Sequence, residues 1–382
     1  MVLICEKMQI QNFRNIEECQ VVLSPEVNLF YGNNAQGKTN FLEAIYFSSL
    51  GKSFRPVKES ELIRFEAEQA HILNTFSDAL RQQTISVRLF KNKTRRMVEH
   101  NGVKISRMSE MVGAFRVVLF CPEHLSLIQG GPDLRRAYLN VALSQLRPVY
   151  LQALQRYNHV LKERNALLKR AYDDRATFLA TEPLWSAQLA REAAIITVHR
   201  ARYVKQVNQQ VKELFADMMS RYEDRQEVPE LTYAPTLGDY DRDFDLIPEH
   251  ISKIEEKYLD LLSSHHDREI GAGGTLYGIH RDDIRVTLNG RPARLYASQG
   301  QQRSLALAMK LAEGWVSGYE NGGDMPVFLF DDVLSELDHH RRSYLVEEMR
   351  GRQVIMTACD PATAYFGHEN AHMVEVSQGR YS

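Results

Sequence analysis

Residues 32–39 read Gly32-Asn33-Asn34-Ala35-Gln36-Gly37-Lys38-Thr39, and this stretch constrains the chain more than any other. An apolar run, Val27-Asn28-Leu29-Phe30-Tyr31, precedes it. Asn40-Phe41-Leu42-Glu43-Ala44-Ile45-Tyr46 follows, with Phe41, Leu42, Ile45 and Tyr46 at helical spacing. Strand, glycine loop and helix in that order form the context of a phosphate-binding loop. The glycines let the backbone wrap a phosphate chain with its N–H groups inward, and the helix N-terminus adds partial positive charge. In such a loop Lys38 reaches the β- and γ-phosphates and the Thr39 hydroxyl ligates Mg2+. These residues predict a nucleoside triphosphate site.

A partner for that loop lies near the other end of the chain. Val327-Phe328-Leu329-Phe330-Asp331-Asp332 is an apolar strand ending in two carboxylates. A buried parallel strand that delivers an acid at its C-terminal end is how such folds place a Mg2+ partner, here Asp331. Asp332 is then the carboxylate to polarise the attacking water. Most of the chain lies between Lys38 and Asp331, so something large is inserted. Two amphipathic runs are its obvious content, one through Tyr150, Leu154, Tyr157, Leu161 and Leu168, the other through Leu189, Ala193, Ile196, Tyr203, Val207, Val211, Leu214 and Met218. A break at Thr181-Glu182-Pro183 separates them into an expected antiparallel helix pair. The first run carries Arg156, Lys162, Arg164, Lys169 and Arg170 against Glu163, which reads equally as a DNA-facing edge or a solvated face. Ser298-Gln299-Gly300-Gln301 opens a further helix, whose N-terminus suits a phosphate.

The remainder reads as short elements. Strands at Met8–Ile10 and Val21–Leu23 flank a polar corner, Asn12-Phe13-Arg14-Asn15. Thr84–Leu89 alternates as a half-buried strand, Asn101-Gly102 turns a hairpin, and Pro122 stops the strand Val117–Phe120. Residues 223–248 read as a loop, and a helix covers Pro248 to about Leu262. The strand Ile284–Leu288 turns at Asn289-Gly290 into a partner strand near Ala293–Tyr296. Arg55 and the run Lys91, Lys93, Arg95 and Arg96 make a local basic surface, either a solvated connection or a nucleic-acid contact. The net charge over 382 residues is −2, so no chain-wide field attracts DNA. The four cysteines have no C-x-x-C pair, which points away from a zinc ribbon or disulfide framework and towards a reducing compartment. With no leader-like start and no apolar run long enough to span a bilayer, the expectation is a cytoplasmic protein with no membrane partner.

The set Gly32–Thr39, Ser298-Gln299-Gly300-Gln301, Phe330-Asp331-Asp332 and Ser335-Glu336-Leu337-Asp338 resembles the head of ABC-type ATPases. In that class the serine-glycine signature of one subunit closes over the γ-phosphate held by the other. Within it the chain resembles the RecF family of bacterial recombination and repair ATPases, in the SMC-like superfamily. Pro122-Glu123-His124-Leu125-Ser126-Leu127-Ile128-Gln129-Gly130-Gly131-Pro132-Asp133-Leu134-Arg135-Arg136-Ala137-Tyr138-Leu139 is similar to one family signature. Leu329 through Arg341 is similar to the other, and Tyr277 through Asp283 also fits. The chain departs from these patterns in several places. The signature reads Ala297-Ser298-Gln299-Gly300, Asn140 stands for an aspartate, and Asp332 replaces the usual glutamate. Thr357-Ala358 stands where a switch histidine is expected, and the lobe-joining glutamine has no counterpart near Phe120–Glu123.

The resemblance implies an α/β fold: a P-loop ABC-type ATPase head with a mixed sheet, flanking helices and an antiparallel β subdomain, carrying an inserted α-helical subdomain. Residues 1–130 plus 270–382 would form the head, and 131–269 the insertion, a signature-bearing lobe with a short antiparallel helical arm. It implies ATP and Mg2+ as cofactors. Arg14, Gly32 through Asn40, Ser298, Gly300 and Gln301 would contact nucleotide, Thr39 and Asp331 the metal, and Lys38, Asp331 and Asp332 would be catalytic. Arg55, Lys91, Lys93, Arg95 and Arg96 would contact DNA. The implied function is an ATP-dependent homodimer on duplex DNA and gapped junctions, which with RecO and RecR helps load recombinase in repair, replication and the SOS response. Hydrolysis would be weak, DNA-stimulated and serve to reset the dimer. An SMC-like structural ATPase and a defence-system ABC ATPase are the alternatives. A short arm speaks against the first, and the lack of a second acid-histidine cluster against the second.

Overall fold

The computed structural model of the chain describes residues 3–92, 96–221, 227–238, 248–360 and 371–382. The first stretch holds β1 (Ile4–Phe13), β2 (Ile16–Val22), β3 (Val27–Tyr31), α1 (Lys38–Leu50), β4 (Gln69–Ser77) and β5 (Gln82–Phe90). Then come β6 (Met97–His100), β7 (Val103–Ile105), β8 (Val117–Phe120), α2 (Pro132–Leu146), α3 (Pro148–Arg170) and α4 (Arg175–Ser220). The middle of the chain gives β9 (Pro229–Ala234), α5 (Pro248–Ser263), α6 (His266–Ala272), β10 (Asp283–Leu288), β11 (Arg291–Pro292) and α7 (Ala293–Tyr296). Last are α8 (Gln299–Glu320), β12 (Val327–Asp331), α9 (His339–Glu348), β13 (Val354–Ala358), β14 (His372–Ser377) and β15 (Arg380–Tyr381).

These elements form two compact units. The first takes residues 1–126, 214–226 and 299–382, the second 127–213 and 227–298. The second unit therefore extends to residue 298, past the expected boundary at 269, because β10 pairs with β9 rather than with the head. In the first unit β8, β12, β13, β3 and β14 run parallel as neighbours, with β15 antiparallel at the edge. β8, β12 and β13 are buried at every residue, the pattern of strands covered on both faces. α1 is buried from Phe41 to Leu50, a helix apolar almost all round. A second, antiparallel sheet of order β2-β1-β4-β5-β6-β7 completes this unit. Its strands β4 and β5 alternate buried and partly buried residues, as one covered face requires. The mixed sheet and the antiparallel subdomain of the expected α/β head are thus present.

The second unit packs α3 antiparallel to α4, as the pairs Arg156–Glu192 at 2.7 Å and Arg164–Glu182 at 3.2 Å show. Four sequence expectations give way here. α4 is continuous for 46 residues, and Pro183 lies inside it. The chain breaks instead at 171–174. Pro183 lacks only the N–H that would bond the carbonyl of Leu179, and Leu179 is an exposed residue, so water can take that place. Arg164 is neither a DNA edge nor solvated. It is fully buried, meeting Glu269 at 2.7 Å, Thr275 at 2.9 Å and Ser186 at 3.1 Å. The region 223–248 contains strand β9, which pairs with β10 from Pro229↔Leu288 to Ala234↔Asp283. The expected strand at Ala293–Tyr296 is the helical turn α7, and the β-pairing ends at Pro292, which has no N–H to continue it.

The first family signature is structural in this unit. Arg135 forks onto Asp283 at 2.7 and 2.9 Å and donates to the carbonyls of Leu127 and Gly130. Asn140, the residue that departs from the signature, accepts from Tyr150 at 2.6 Å and from the buried Arg200 at 3.0 Å. Among the described residues no helix is long and apolar enough to cross a membrane.

Candidate nucleotide-binding site

β3 delivers the phosphate loop and α1 receives it. Asn33, Asn34 and Ala35 form an exposed rim, while Gly37 and Lys38 are buried. Lys38 donates to the carbonyls of Gly32 and Asn33, the latter at 2.9 Å. Cys359 Sγ, exposed just past β13, reaches Asn34 Oδ1 at 2.9 Å. Gly37 has φ 118°, and a Cβ there would press on the Asn15 side chain at 2.8 Å. Only glycine serves at such a position.

The two halves of the site meet at Asp331. Thr39 Oγ1 donates to Asp331 Oδ1 at 2.8 Å, and Thr357 Oγ1 donates to the same oxygen at 2.9 Å. The register Asp331↔Thr357 between β12 and β13 places that second hydroxyl. Thr357 also accepts from the Asp332 N–H at 3.0 Å. It stands near the expected position of the switch histidine, and its signal was a hydroxyl at the end of a buried strand. Burial lifts the Asp331 carboxyl above its usual value, against the hydrogen bonds of Thr39 and Thr357. Burial also lifts Asp332, while the Lys38 charge pulls it back. Asp332 sits just past the strand at φ 50°. Lys38, Thr39, Asp331 and Asp332 are therefore brought together.

Other expected residues are placed differently. Arg14 forks onto Glu43 at 2.8 and 2.9 Å and donates to the Glu61 carbonyl at 3.1 Å. Arg55 joins the same carboxylate and also holds Asn40 Oδ1 at 2.6 Å. Glu43, missed in the sequence, is fully buried. Burial opposes its charge, but hydrogen bonds from Arg14, Arg55 and Ser53 outweigh that and hold its carboxyl below the usual 4.5. Lys91 donates to the Phe65 carbonyl at 3.0 Å, and Arg96 pairs with Glu59 at 2.9 Å and donates to the Gly51 carbonyl. Each described cation of the expected DNA surface thus has a partner on the protein. Lys93 and Arg95 lie outside the described residues.

Near the signature, Ser298 is exposed while Gly300 and Gln301 are partly buried at the start of α8. The Gly300 carbonyl accepts from Arg341 at 2.8 Å, and Arg341 also donates to Ser304 at 2.8 Å and pairs with Asp338. Arg303 donates to the Glu336 carbonyl at 2.7 Å. The polar turn 335–338 and the first turn of α8 are one hydrogen-bonded assembly.

Comparison with known proteins agrees with this geometry. The family model described as the RecF/RecN/SMC N-terminal domain matches residues 4–382. The chain is 35% identical over 376 residues to a DNA replication and repair protein RecF of Staphylococcus aureus, covering 97% of this chain and 98% of that one. A solved structure of the recombination mediator protein RecF-ATPrS in the RecFOR pathway superposes with a TM-score of 0.91 at 29% identity, over 100% of this chain and 98% of that one. The corresponding RecF-ATP structure gives 0.86, also at 29%, over 100% and 97%. An Smc head domain from Pyrococcus furiosus shares the fold at a TM-score of 0.54 and 15% identity, over 100% and 96%. With the phosphate loop and acidic strand joined at Asp331 and the match running almost end to end, the chain belongs to the RecF/RecN/SMC family of ABC-type ATPases, on its RecF branch.

Proposed function

We propose that this protein is an ATP-switched DNA repair factor that dimerises around nucleotide. The contact Thr39–Asp331 carries the nucleotide part of this reading, because it joins a phosphate loop to an acid at 2.8 Å from opposite ends of the sequence. A hydroxyl and a carboxylate are hard oxygen donors of the kind Mg2+ takes. Among the described residues no three His, Cys, Asp or Glu side chains gather into a cage. Mg2+ would therefore be held by Thr39, Asp331 and the phosphates, where it neutralises charge on the β- and γ-oxygens. Lys38 binds the β- and γ-phosphates, and Asp332 orients the attacking water. Arg14, on Glu43 beside the loop, steadies that wall of the site, and Ser298, Gly300 and Gln301 close over the γ-phosphate of a second copy.

The DNA part rests on the RecF relatives, named for replication, repair and the RecFOR pathway. ATP stabilises the closed dimer by its differential affinity for it, and the dimer clamps duplex DNA at gapped junctions. There it acts with RecO and RecR in loading recombinase, and slow, DNA-stimulated hydrolysis releases it.

Light scattering with a non-hydrolysable ATP analogue tests the switch. The wild type should double in mass on addition of nucleotide. Lys38→Ala should bind no nucleotide and stay monomeric, whereas Ser298→Arg should bind it and still stay monomeric. A normal dimer from Ser298→Arg would refute the head-to-tail arrangement.

A further inference from the structure

Two carbonyls of the phosphate loop are held from outside the loop. The Gln36 carbonyl accepts from the Gly379 N–H at 2.8 Å and from Asn15 Nδ2 at 3.1 Å. The Gln36 side chain accepts from the Gln378 N–H at 2.6 Å. The Gly37 carbonyl accepts from the Phe41 N–H at 3.1 Å, as the first helical bond, and from the Tyr381 hydroxyl at 3.0 Å. Asn15 is itself fixed by Asn40, whose Nδ2 donates to its Oδ1 at 2.7 Å. The Tyr381 ring packs 5.2 Å from Phe41 and 6.1 Å from Phe30, centroid to centroid, so its hydroxyl has little room to move. Burial raises the Tyr381 hydroxyl well above its usual range, and it stays a donor at any working pH.

Peptide planarity turns these bonds into a statement about the opposite side of the loop. In a trans peptide the C=O and the following N–H point in opposite directions. The Gln36 carbonyl shares its plane with the Gly37 N–H, and the Gly37 carbonyl shares its plane with the Lys38 N–H. Two carbonyls anchored outward therefore aim two amides inward, where a phosphate chain lies.

The geometry points to the Gln378–Gly379 turn, Tyr381 and Asn15 as positioning groups that orient the two innermost amides of the phosphate loop and so set its affinity for the nucleotide's phosphates. They act through Gln36 and Gly37, and the inference rests on the nucleotide-binding reading above. β14 and β15 thereby become part of the nucleotide site, although Tyr381 lies 344 residues from Gly37 in sequence.

The test is a titration of the full chain with a fluorescent ATP analogue and with its ADP counterpart. Tyr381→Phe keeps the ring and removes one hydrogen bond, and should bind both nucleotides about fivefold more weakly. Asn15→Ala should do the same. The loss should fall on KM, with kcat at saturating ATP retained, and the melting temperature without nucleotide should stay at the wild-type value. Wild-type affinity in both variants, with Lys38→Ala unable to bind, overturns the proposal and leaves the site assignment standing. Wild-type affinity in Lys38→Ala overturns the site assignment and this proposal with it. A loss of affinity that only accompanies a fall in melting temperature marks the groups as general supports of the fold and overturns their positioning role.

Discussion

Asp331 and Asp332 are adjacent in sequence and unlike in structure. Asp331 ends β12 with its side chain buried on two threonine hydroxyls, and Asp332 turns into the left-handed region at φ 50°. The turn separates the two carboxylates and lets each serve a different partner. On the reading above, Asp331→Asn should weaken Mg2+-dependent nucleotide binding by about tenfold, the worth of one bond to an ionised group. Asp332→Asn should keep nucleotide binding and slow hydrolysis on the order of a hundredfold, the usual yield of a positioned base. Single-turnover hydrolysis beside a binding titration separates the two. Hydrolysis at the wild-type rate in Asp332→Asn would remove it from the mechanism. The strand and its acids were legible because an apolar run ending in Asp-Asp is local. The role of Thr357 was not, since it depends on which strand lies beside β12.

At the scale of elements, Glu43 binds three segments into one. It stands on α1 and receives Arg14 from the corner between β1 and β2 and Arg55 from the connection after α1. Both arginines read as ligand-facing cations in the sequence, and the counter-ion they share went unseen because it sits on a helix whose burial cannot be read from spacing alone. Arg164 misled for the same reason: on α3 it falls in a basic stretch, and only Glu182 and Glu269 reveal it as core. The ninth-residue proline of α4 was read as a break, because the sequence does not show that the carbonyl it orphans faces solvent. Glu43 has a folded pKa below its unfolded value of 4.5. Its stabilisation is complete above that value and is lost as pH falls through the lower, folded pKa. Glu43→Gln should lower stability at pH 7 by about 3 kcal/mol, the scale for breaking a buried ion pair. The gap to wild type should close progressively below pH 4.5. Urea unfolding at several pH values measures it, and a gap independent of pH would mean that Glu43 is not the charged hub.

At the scale of the whole molecule, the net charge of −2 leaves DNA binding to local surface, and the described cations of the expected patch already have partners. Lys93 and Arg95 carry the remaining charge of that run. If ATP pairs two copies on one duplex, the contacts double. The slope of log affinity against log salt should then steepen by about 0.9 for each phosphate newly engaged. A gapped duplex titrated at several salt concentrations, with and without a non-hydrolysable ATP analogue, reads this directly. The double change of Lys93 and Arg95 to Ala should flatten the slope and spare ATP affinity. Equal slopes with and without nucleotide would end the clamp mechanism.

β3 stands inside the parallel sheet, yet both its neighbours, β13 and β14, come from the far end of the chain. Cys5 and Gln353, which bond each other twice, are 348 residues apart. At roughly 5–20 residues per second of synthesis, β3 and its phosphate loop wait tens of seconds for the strands that flank them. Until then the ribosome holds out an apolar strand with two open edges and a loop that lacks its acid. ATP cannot help the early chain fold, because the acid that completes its site has not been made. The need for protection falls on the nascent chain, and the nucleotide can stabilise only a chain already made as far as Asp331.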